Sequence, residues 1–146
     1  MTNTITKMIE APNADVLIGE VDALLRQDNV FMLEVMFAYS TVSAMMTKYI
    51  LDNTMSDEEK SCVRQKLAPH KLKLQKMILQ FDKHGIATLI KSCATRVTPL
   101  YKQDSRWVEY ICALRLVVEL YIEEPVYPVM LRWLEQCSYS RDVALA

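Results

Sequence analysis

Apolar residues recur along most of this chain at intervals of three and four, the spacing that lines one face of an α-helix. Leu17, Val21, Leu24 and Leu25 mark a first helix over about 14–27, and Asn13 is placed to cap it by accepting a bond from an early backbone N–H. A second helix, over about 30–51 and capped from Asp28 and Asn29, carries a single charge, Glu34, between Val30 and Met46. Ser56 and Glu59 have the spacing of a capping box and open a third helix that runs to about 68. Pro69 lacks an N–H and disfavours helical geometry at the residue before it, so a kink or a fresh start is expected there.

The next helix turns Leu74, Met77, Ile78 and Phe81 inward and ends on Gly85 as a left-handed cap, with Lys83 and His84 in its last turn. Helices over about 86–96 and 105–123 follow, separated by the longest loop, 98–104, which contains Pro99. Pro125 and Pro128 start a last helix, with Met130, Trp133, Leu134 and Cys137 on one face. No run shows the two-residue alternation of a strand. The pattern predicts an all-α fold, an irregular antiparallel bundle of six to seven helices. A flexible leader over 1–12, a single helical domain over 13–138 and a frayed tail over 139–146 are expected.

At about 100° per residue, two of these helices carry apolar groups on nearly opposite sides. The helix over 30–51 has Phe31, Val35, Tyr39, Val42, Met46 and Tyr49 on one side and Leu33, Phe37, Ala44 and Leu51 on the other. The helix over 105–123 has Trp107, Ile111, Leu114, Val118 and Tyr121 opposed to Ala113, Leu116 and Leu120, with Arg115, Glu119 and Glu123 between. A bundle of this size readily encloses one helix on all sides, and two are more than it hides with ease. Burying one Leu or Phe side chain contributes about 1.5–3 kcal/mol, so a stripe left in water invites a covering surface. Leu33, Phe37, Leu116 and Leu120 are therefore the candidate docking residues for another protein or a second copy. The function expected is a non-enzymatic interaction module of adaptor, chaperone-like or regulatory kind. Four methionines on the helix over 30–51 (Met32, Met36, Met45, Met46) suit an adaptable surface or a gap-filled core equally.

Composition narrows the chemistry. The chain has 146 residues and two glycines, Gly19 and Gly85, too few for a phosphate loop, a dinucleotide turn or a nucleophile elbow. The helix over 30–51 falls about three residues short of a comfortable membrane span and holds Glu34, Ser40, Thr41 and Ser43, so no span is expected. Residues 1–12 lack the apolar stretch of a signal peptide. The cysteines at 62, 93, 112 and 137 have no close pair, and Cys93, Cys112 and Cys137 fall in or beside apolar runs. Core thiols in a reducing, cytoplasmic setting are the expectation.

Net charge is −1 but uneven: residues 1–59 sum to −7, 60–83 to +6, and 84–146 to zero. Lys60, Arg64, Lys66, Lys71, Lys73 and Lys76 form the alternative site, a basic face for nucleic acid. Lysine dominates it and no aromatic platform accompanies it, so a solvated face, or docking on the acidic N-terminal third, competes with that reading. Glu34 has no carboxylate companion and stands near a helix start, which favours a structural role. His70 and His84, fourteen positions apart, lack ligands at metal spacing, and no metal or cofactor is expected.

Overall fold

The computed structural model of the chain describes residues 2–101 and 114–135. Among them every regular element is a helix, and the fold is all-α. The chain divides into two compact units, Met1–Ile78 and Leu79–Ala146.

The first unit contains α1 (Thr2–Ile9), α2 (Ala14–Leu25), α3 (Met32–Ile50) and α4 (Asp57–Leu79). The expected leader over 1–12 contains a helix. It forms α1, which buries Ile5, Met8 and Ile9 and packs on α2 and α3. Its apolar positions at i, i+3 and i+4 make one short face, and tertiary packing supplies the stability that eight residues lack alone. α2 begins as expected, with the Asn13 side chain accepting from the Val16 N–H at 3.0 Å.

α3 is enclosed on all sides along most of its length. Its buried residues run without interruption from Leu33 to Ser43. The expected cap from Asp28 and Asn29 falls short, because the helix starts after Phe31, which makes no side-chain cap bond. Its buried hydroxyls are reconciled with an apolar setting by bonding back along their own helix. Ser40 Oγ donates to the Met36 carbonyl at 2.9 Å, and Thr41 Oγ1 donates to the Phe37 carbonyl at 2.9 Å. Ser43 Oγ is buried with no hydrogen-bond partner among the described residues.

α4 differs in kind. It runs unbroken through Pro69, where a kink or new start was expected. The structure shows why this is tolerated. Leu67, Leu74 and Ile78 face inward, and Pro69 lies roughly 160° around the helix from them at 100° per residue. The missing bond to the Gln65 carbonyl thus falls on the solvent side, open to hydration, and both Gln65 and Pro69 are exposed. Glu59 N–H donates to Ser56 Oγ at 3.2 Å, half of the expected capping box.

The second unit contains α5 (Lys83–Tyr101) and two further helical segments, 114–119 (α6) and 127–135 (α7). Gly85 does not end a helix, and no glycine among the described residues has positive φ. It sits in the first turn of α5, where its N–H donates to Asp82 Oδ2 at 2.9 Å, making Asp82 the N-cap. His84 accordingly lies at a helix start rather than at a helix end. α5 also continues past Pro99, so the expected loop over 98–104 is helical as far as Tyr101. Inside this unit Ile86, Ile90, Leu114, Val117, Val118, Tyr121, Met130 and Leu134 are buried. Lys83 Nζ reaches Glu124 Oε1 at 2.7 Å, and Lys91 Nζ stands 5.6 Å from the Trp133 ring centre. Residues 102–113, most of the first part of the predicted helix over 105–123, lie outside the described residues, as do Cys112, Cys137 and the tail over 139–146.

Candidate interaction surface

The four candidate docking residues separate into two pairs. Leu33 and Phe37 belong to the core of the first unit, 5% and 1% exposed. Their flank of α3 was expected to face outward; α1 and α2 both pack on α3, and the reading from periodicity had left α1 out as a leader. Leu51, the last member of that stripe, lies beyond the helix and is 71% exposed. Leu116 and Leu120 in the second unit remain half-buried.

The local geometry of 114–124 explains that difference. Leu114, Val117, Val118 and Tyr121 occupy the inward positions of one helical face and are buried. Leu116 and Leu120, four residues apart, fall on the adjoining side, between the exposed pair Arg115 and Glu119 and the buried Val117. After residue 119 the chain tightens into successive turns: Leu120 N–H donates to the Val117 carbonyl at 3.1 Å, Tyr121 to Val118 at 3.0 Å and Ile122 to Glu119 at 3.3 Å. Ile122, within these turns, is 61% exposed. The sequence reading assigned Ile122 to neither apolar side of the 105–123 segment. Burial pushes the Tyr121 phenol up to about 12, with the Glu124 carboxylate adding to the effect, so this side chain is neutral at physiological pH.

The basic segment is spread around α4 rather than gathered on one face. At 100° per residue Lys60, Arg64 and Lys71 lie on one flank of its buried strip, Lys66 and Lys73 on the other, and Lys76 points away from it. Three of the six are engaged within the first unit. Lys60 Nζ donates to the Ile50 carbonyl at 3.0 Å, closing the C-terminal end of α3. Lys66 Nζ lies 3.2 Å from Asp15 Oδ1, whose hydrogen bond and charge hold the lysine above its ordinary range. Lys71 Nζ stands 5.9 Å from the Tyr39 ring centre. His70 Nε2 adds a contact to Asp22 Oδ1 at 2.9 Å. Of the six basic residues, Lys66 is thus paired with the acidic α2. Arg64, Lys73 and Lys76 are exposed and form no ion pair among the described residues.

Glu34 is 3% exposed in the first turn of α3, where the positive end of the helix dipole favours a carboxylate. Cys62 is an exposed free thiol on α4. No group of three or more His, Cys, Asp or Glu side chains converges in metal-binding fashion among the described residues, and no described helix is long and apolar enough to cross a membrane. Comparison of the chain with known protein families, with curated proteins and with solved structures yields no match.

Proposed function

We propose that the chain is a non-catalytic protein-interaction module, an adaptor or regulator, that docks an apolar segment of a partner protein or of a second copy through Leu116, Leu120 and Ile122. The observation that supports this reading is apolar exposure beside a filled core: Leu114, Val117, Val118 and Tyr121 are buried, while Leu116 and Leu120 are only half-buried and Ile122 is 61% exposed. Leu33 and Phe37 contribute to this role only by holding the first unit together. A reducing compartment such as the cytoplasm fits the wide spacing of the cysteines.

The alternative, a nucleic-acid role for the basic segment, draws on Arg64, Lys73 and Lys76, which lie on different sides of α4. The test is to titrate the partner isolated by affinity capture against the wild-type chain and against Leu116→Asp and Ile122→Asp. Each variant should weaken association by at least about tenfold, the equivalent of burying one aliphatic side chain, with helical circular dichroism unchanged. Association unaffected by either variant, or falling steeply with salt as phosphate contacts do, contradicts the reading.

A further inference from the structure

We propose that two copies of the chain associate through the outward face of α4, laid antiparallel across a two-fold axis near residue 67. At 100° per residue Glu58 and Lys76 stand at the same angle around α4, directly opposite the buried strip of Leu67, Leu74 and Ile78. They are separated by about 27 Å along the helix. Gln65, Pro69 and Leu72 lie between them on the same side, with Lys73 at its edge, and all six are exposed. Leu72 is 52% exposed, and all six belong to the first unit. Glu58, Lys73 and Lys76 form no ion pair among the described residues.

Such a face is complementary to itself. A two-fold axis reverses one copy against the other, so positions equally far on either side of residue 67 come face to face. Glu58 of each copy then meets Lys76 of the other, and Gln65 meets Pro69. Pro69 leaves the Gln65 carbonyl without its intrahelical donor, and the side-chain amide of the second copy's Gln65 is a donor at that level. Leu72 loses exposed apolar surface in the same contact. A parallel arrangement sets Glu58 against Glu58 and Lys76 against Lys76, so the charges select the antiparallel one.

The same pattern favours a second copy over other occupants. A nucleic acid or an anionic lipid surface is attracted by Lys73 and Lys76 but repelled by Asp57, Glu58 and Glu59 at the other end of the helix. Only an occupant with the opposite order of charges matches both ends, and an antiparallel copy has that order. A single helix pair of this length buries less than the ~1,200–2,000 Å² of a standard interface, and exposed ion pairs add little. The dimer is therefore weak, and the face stays in water when the protein is dilute. The contact uses the first unit alone and is independent of Leu116, Leu120 and Ile122.

The test is sedimentation equilibrium of the full chain at low salt, carried up to millimolar concentration. The wild type should dimerise. Glu58→Lys and Lys76→Glu each turn both symmetry-related pairs repulsive and should each weaken the dimer by at least about tenfold. The double variant Glu58→Lys/Lys76→Glu exchanges the charges and should return to within about threefold of wild type. Arg64→Glu makes the same change in net charge about 120° around the helix from Lys76, and should also stay within about threefold. A chain that remains monomeric overturns the proposal, as does a double variant no tighter than the two single ones. An Arg64→Glu loss equal to that of Lys76→Glu overturns it too, since net charge alone would then be the cause. A dimer lost in Leu116→Asp but kept in Lys76→Glu places the contact on the second unit and has the same consequence.

Discussion

α3 and α4 lie in the same unit and are built on opposite terms. α3 is sealed from Leu33 to Ser43, including four polar residues, whereas the longer α4 buries only Leu67, Leu74 and Ile78. Each helix departs from the usual form of an amphipathic helix, and each is held by what surrounds it. α3 can be apolar on both flanks because α1 and α2 pack on it, and because Ser40 and Thr41 satisfy their hydroxyls within the helix. α4 can be polar around most of its circumference because part of its charge is taken up by α2 and by the end of α3. The contrast teaches that apolar residues on two sides of a helix do not by themselves mark a surface. Covering elements decide, and a covering element as short as α1 is enough.

The largest expected effect breaks the contrast at its buried end. Phe37→Ala should lower stability by about 3–5 kcal/mol in urea denaturation, since it empties a ring-sized space in the core. Leu72→Ala on the exposed side of α4 should stay within about 0.5 kcal/mol under the same conditions. Comparable losses would mean that the two helices are not built on different terms.

A smaller effect sharpens the account of α4. An interior proline costs a helix about 3 kcal/mol relative to alanine, and about 1 kcal/mol of this is returned through the restricted unfolded chain. Pro69→Ala should therefore stabilise the protein by about 2 kcal/mol, read from the urea midpoint. No gain would mean that the helix is interrupted at Pro69, as the residue alone suggests.

The sequence made the all-helical character legible, along with the caps at Asn13 and Ser56, because periodicity and local capping chemistry are encoded by neighbouring residues. What it concealed depends on distant partners or on competition between two local signals. Ile5, Met8 and Ile9 are a valid helical face, but a single short one, and packing on α2 and α3 turns it into an element. Gly85 was expected to close a helix, whereas its N–H is taken up by Asp82 at the start of the next one. Pro69 and Pro99 disfavour helix locally, yet both helices continue through them. For the candidate surface, Leu116 and Leu120 were legible from the spacing of the 105–123 segment. Ile122 was not, because its spacing puts it in neither apolar stripe of that segment.

Hydrogen–deuterium exchange of the backbone amides tests the central contrast most directly, since protection follows the depth at which an element is held. The amides of α3 from Val35 to Val42 should be the slowest in the first unit, and those of α4 around Gln65 and Pro69 should exchange much earlier. Exchange in α3 as fast as on the solvent side of α4 would contradict the account, and would return Leu33 and Phe37 to the surface.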